Sequence, residues 1–96
     1  METPSIIIDH LDEIAELAEA LTPIDDIALI LQLDLYQLRQ QIRDTTSDVS
    51  MAYRLGKARG LLAVRRATIK KAESGDVPAA AAVERFAALM GDNENL

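Results

Sequence analysis

Between Ile24 and Arg43 the apolar positions recur at helical spacing, break once, and resume. Ile24, Ile27, Ala28 and Leu31 share one helical face; after Gln32-Leu33-Asp34 the pattern returns at Leu35, Leu38 and Ile42. Ala28 is small where a second helix must cross the first, and Leu33 is placed to plug the corner. The spacing predicts a helix-turn-helix over 23–43, with Tyr36, Gln37, Arg39, Gln40, Gln41 and Arg43 facing outward. The turn position usually filled by glycine is Gln32, and a small helical bundle of another kind can produce the same pattern.

Other elements follow from the same periodicity. A first helix is expected from Ser5 to Leu21, with Leu11, Ile14, Leu17, Ala18 and Leu21 as its stripe and acids opposite. Thr22 is expected to cap the second helix, with Pro23 at its first position and Asp25 and Asp26 at the positive end of the dipole. Asp34 should cap the third, with Gln37 as capping-box partner. After the polar linker 44–47, Ser47 or Asp48 should start a long helix that ends near Ser74-Gly75. Asp76 should cap a last helix, with Pro78 in its first turn, the alanine run 79–82 on its apolar face and Gly91 at its end. Residues beyond Gly91 are expected to fray.

The long helix carries two apolar faces. Met51, Leu55, Ala58, Leu62 and Ile69 fall within roughly 60° of one another; Ala52, Gly56, Gly60, Ala63 and Ala67 form a smoother second face. Such a helix must be covered twice, by the helix-turn-helix core on one side and by the last helix or a neighbouring subunit on the other. Two glycines inside a helix cost about 1 kcal/mol each against alanine. Ala52, Gly56, Gly60 and Ala63 are therefore candidates for a close helix contact, within the chain or across subunits; a kink at the glycines is the alternative.

Composition narrows the class. Of 96 residues, 49% are hydrophobic but only 3% aromatic, which favours an aliphatic, alanine-rich all-α core in one domain of about five helices. The chain contains no cysteine and a single histidine, His10, so neither a disulfide framework nor a thiolate metal site is expected. The run Ile6-Ile7-Ile8 is too short for a signal peptide and has no basic residue before it, and no stretch approaches the roughly 20 apolar residues that cross a bilayer. The cytoplasm is the expected location.

Charge is segregated along the chain. The net charge is −6, which argues against unspecific attraction to nucleic acid. Residues 1–38 hold nine acids and no base, residues 39–71 nine bases and two acids, and residues 72–96 five acids and Arg85. Either the acidic and basic helices pair, within the chain or between subunits, or the basic ones face DNA phosphates. The exposed Lys70 and Lys71 near the end of the long helix suit the second reading, and mid-helix Arg65 and Arg66 the first.

Catalytic signals are absent. The glycines at 56, 60, 75 and 91 sit at packing or helix-end spacing rather than in a phosphate loop. Asp12-Glu13 and Asp25-Asp26 are adjacent acids that point to different sides of a helix, and Ser50 and Thr68 have no neighbouring base. No enzyme, cofactor or metal is expected.

The segment 51–82 adds a family signal. Ala52-Tyr53-Arg54-Leu55-Gly56-Lys57-Ala58, then Val64-Arg65-Arg66, then Ala72-Glu73-Ser74-Gly75-Asp76-Val77-Pro78-Ala79 resembles a pattern of phage terminase small subunits and related phage helix-turn-helix proteins. Ile27-Ala28, Leu31-Gln32-Leu33 and Leu38-Arg39 are similar to the helix-turn-helix of the same proteins, so the resemblance spans residues 24–90. It departs at Val83-Glu84-Arg85-Phe86, where those proteins often carry an aromatic-Leu-Lys, and the chain leaves little room for a separate oligomerisation domain. The resemblance implies viral DNA packaging in a bacterial host. It implies a homo-oligomer that binds double-stranded DNA and presents it to the terminase large subunit, an ATPase-nuclease. The DNA contacts expected are Tyr36, Gln37, Arg39, Gln40, Arg43, Lys70 and Lys71. The competing expectations are a protein-interaction adaptor and a transcription regulator that binds as a two-fold dimer.

Overall fold

A computed structural model of the chain describes residues 9–94. Among these the fold is all-α: α1 (Leu11–Glu19), α2 (Ile24–Leu31), α3 (Leu35–Arg43), α4 (Asp48–Glu73) and α5 (Val77–Asn93), with no strand. The expected helical start from Ser5 to Ile8 lies outside the described residues. The chain divides into two compact units, one up to Leu61 and one from Leu62 onward.

In the first unit, Ile14, Ile27, Ala28, Leu33, Leu38 and Val49 form the core, flanked by Leu11, Leu17, Ile24, Leu31, Leu35, Ile42 and Tyr53. Every one is aliphatic except Tyr53, as the composition required. Three helices end in the same hydrogen-bond pattern, a 6→1 bond enclosing a 5→2 bond around a left-handed residue. At α1 the bonds are Thr22 N to Leu17 O and Leu21 N to Ala18 O, with Leu21 at φ 60. At α2 they are Leu33 N to Ala28 O, 2.8 Å, and Gln32 N to Leu29 O, 3.3 Å, with Gln32 at φ 55. Leu33, the residue after the left-handed one, is buried in the core, and this anchors the turn without a glycine. At α4 the left-handed residue is Gly75, φ 97.

Caps differ from expectation at one place. Asp34 accepts from Gln37 N at 2.9 Å and Asp76 from Ala79 N at 2.9 Å. The cap position of α2, however, is Pro23 rather than Thr22, with no side-chain bond to the helix. Proline already holds the extended φ and ψ of a cap residue, and Pro23 O takes the bond from Ile27 N. Ser47 fastens the linker to α4: its Oγ donates to Gln41 O at 2.5 Å and accepts from Ser50 N at 3.0 Å. Asp44 accepts from Thr46 Oγ1 and Thr46 N in the same linker, and these bonds hold its carboxyl below the ordinary carboxylate pKa.

The two apolar faces of α4 have different surroundings in the first unit. The smooth face turns to the core: Val49 is buried, Tyr53 packs beside it, and Gly56 and Gly60 are buried against α1. A Cβ on Gly56 would overlap the carbonyl oxygen of Ala15, and one on Gly60 that of Glu19. The contact is intramolecular, and it holds the backbones too close for any side chain. Ala52 is half-buried on the same face, whereas Ala63 is exposed, because α1 has ended before reaching it. The larger face is open where it runs along the first unit: Met51 is 55% and Leu55 43% exposed.

The second unit comprises the last three turns of α4 and the whole of α5. Ala79 is its one buried residue among those described. Arg65 lies over the Phe86 ring, 5.7 Å from its centroid. Gly91 does not end α5, which continues to Asn93. No left-handed residue follows it, so nothing turns the chain out of the helix there.

Candidate functional site: the outer face of α3

The helix-turn-helix presents α3 with Leu38 fully buried beneath it. At 100° per residue the opposite side carries Tyr36, Gln40 and Arg43, with Arg39 on one flank and Gln37 on the other. All five are exposed, Tyr36 to 71%. An apolar ring held that far into solvent gains nothing from the core, and its position follows from the register that buries Leu38 and Leu33.

Arg39 differs from its neighbours. Its Nη2 lies 2.5 Å from Asp25 Oδ1 in the first turn of α2, and both side chains are about half exposed. The pair ties α2 to α3, but in water such a pair is worth no more than about 1 kcal/mol. Arg43 and the side chains of Tyr36 and Gln40 have no hydrogen-bond or ion-pair partner among the described residues. Acids bracket the helix: Asp34 caps its start and Asp44 its end, next to Arg43, with Asp25 and Asp26 at the start of α2, while its two bases, Arg39 and Arg43, lie in its second half.

Lys70 and Lys71 are exposed, but they belong to the second unit and are not brought together with α3 by the first unit's core. Among the described residues the ion pairs are Arg39 with Asp25 and His10 with Glu13. Arg59 shares a shallow cleft with Asp12, Glu16 and Glu19, without an ion pair. No group of three or more metal-ligating side chains is assembled among the described residues, and no helix there is long and apolar enough to cross a membrane.

Two features were not read from the sequence. One is Asp25 as the partner of Arg39, fourteen residues away; the same-face rule works within a helix and says nothing across a turn. The other is an apolar groove of about 590 Å³ on the second unit, floored by Ile69, Val83, Phe86, Leu89 and Met90. The i, i+3, i+4 spacing of α5 signals an apolar face but not that it stays uncovered.

Fold and site define an all-α protein in which two short helices, α2 and α3, meet across a tight turn. No protein-family model, no curated protein and no solved structure matches the chain.

Proposed function

We propose that the chain is a non-catalytic protein that binds double-stranded DNA through α3, in the manner its resemblance to phage terminase small subunits implies. The observation that supports this is the outward stripe of Tyr36, Gln40 and Arg43, exposed side chains with no hydrogen bond or ion pair among the described residues. Glutamine and arginine supply the donors and acceptors that read base edges, and tyrosine can reach a phosphate or a thymine methyl. Viral packaging, with the terminase large subunit as recipient of the DNA, is the more specific form of this reading.

A second reading is favoured by one observation. Asp25, Asp26 and Asp34 stand at the starts of α2 and α3, where a helix-turn-helix normally meets backbone and bases. An adaptor that keeps the fold but binds protein would tolerate those charges.

Titration of a labelled duplex at low salt separates the two. Arg39→Ala with Arg43→Ala should weaken binding tenfold or more, since such contacts supply about 1–3 kcal/mol each. Arg43→Ala alone should account for most of the loss, because Arg39 must first leave Asp25. Unchanged affinity with intact helicity would remove α3 as the reader.

A further inference from the structure

The second unit is a two-helix hairpin that cannot cover itself. Leu62, Ile69, Leu89 and Met90 are all exposed, Met90 to 63%, and the only buried side chain among its described residues is a methyl group. Isolated helices of this length are marginal in water, and helical bundles are held by apolar faces that meet other apolar faces. The charges of the hairpin are sorted by helix. Its α4 part carries Arg65, Arg66, Lys70 and Lys71 against Glu73; α5 and its C-cap carry Glu84, Asp92 and Glu94 against Arg85.

We infer that the groove floored by Ile69, Val83, Phe86, Leu89 and Met90 is covered by the same hairpin of a second copy of this chain, giving a four-helix bundle with two-fold symmetry. The charge sorting selects this occupant. With the two-fold axis parallel to the helices, the basic helix of each hairpin lies beside the acidic helix of the other, so the face is its own complement in charge as well as in apolarity. DNA would meet an apolar floor and the acids of α5, and an unrelated apolar partner would leave the sorted charges unused. The groove lies wholly in the second unit, and the inference does not depend on α3 reading DNA.

Sedimentation equilibrium of the full chain tests it. The wild type should show twice the chain mass of 10.5 kDa. Met90→Glu and Ile69→Glu should each return the single-chain mass, because both side chains line the groove and are exposed within one chain, and any loss of far-ultraviolet helicity should be confined to the uncovered hairpin. Replacing Glu84, Asp92 and Glu94 together with lysine should also give single chains at low salt, since both helices would then be basic. A wild type at single-chain mass at every concentration would overturn the inference. So would a dimer indifferent to Met90→Glu and Ile69→Glu, or an assembly larger than two. Duplex binding by these variants is a separate measurement: its loss in all chains, wild type included, would count against the reading helix and not against the bundle.

Discussion

The four glycines occupy three environments, and substitution by alanine tells them apart. At Gly56 and Gly60 a methyl group would meet backbone carbonyls of α1, which cannot rotate away as a side chain can. Alanine there gains about 1 kcal/mol of helix propensity but forces the helices apart, and overpacking of this kind costs about 1–3 kcal/mol. The net sign should be destabilising. Gly75 has open space around it but φ 97, so alanine is strained by the backbone alone. Gly91 lies inside α5 with nothing near it, so alanine should stabilise the helix by up to about 1 kcal/mol. Thermal melts of the four variants should fall for Gly56, Gly60 and Gly75 and hold or rise for Gly91. At this chain length 1 kcal/mol corresponds to about 4–8 °C. A rise at Gly56 or Gly60 would show that the close approach to α1 is not maintained in solution.

Among the elements, α3 and α5 begin with an aspartate that bonds a backbone N–H, whereas α2 begins with Pro23 and no such bond. Asp34→Ala and Asp76→Ala should each destabilise by about 1 kcal/mol, read as a lower denaturant midpoint with unchanged slope. Thr22→Ala should be close to neutral; an equal loss there would return the cap to Thr22. The comparison also shows where the sequence is legible. Asp34, Ser47 and Asp76 announce helix starts because a short polar side chain at that place has few other uses. Thr22 looks the same in sequence, yet the proline after it already supplies the extended turn. The stripes of α1, α2 and α3 were readable because each helix has one apolar face. In α4 the sequence offered two apolar faces without deciding between them; close backbone approach selected the glycines, and Met51 and Leu55 were left in solvent. Periodicity identifies faces; which face is covered depends on the shape of the neighbour. The outward residues of α3 were legible for the opposite reason, since burial of Leu38 fixes everything else on the helix. Asp25's hold on Arg39 was not legible, because it is a contact between helices.

Taken as a whole, the molecule keeps its acids and bases largely apart: between helices, Asp25 with Arg39 is the one ion pair among the described residues. What joins α1 to α4 is therefore geometric rather than ionic. Gly56 faces Ala15 and Gly60 faces Glu19, so numbering rises together on both helices and they run in the same direction where they touch. Sliding α1 by one turn would set a carbonyl against Ala52 or Val64, each of which has a Cβ, so the two glycines admit a single register. The consequence is temporal. The turn between α2 and α3 closes over a few residues, but the notches in α4 lie about forty residues from the carbonyls they receive, and loops of that length close late. Folding should begin with α2, α3 and the start of α4, and α1 should seat itself last. Gly56→Ala should then accelerate unfolding and leave the refolding rate almost unchanged, a pattern that stopped-flow kinetics across a denaturant series would show directly. If refolding slows by the whole of the stability change, α1 is already docked when the barrier is crossed.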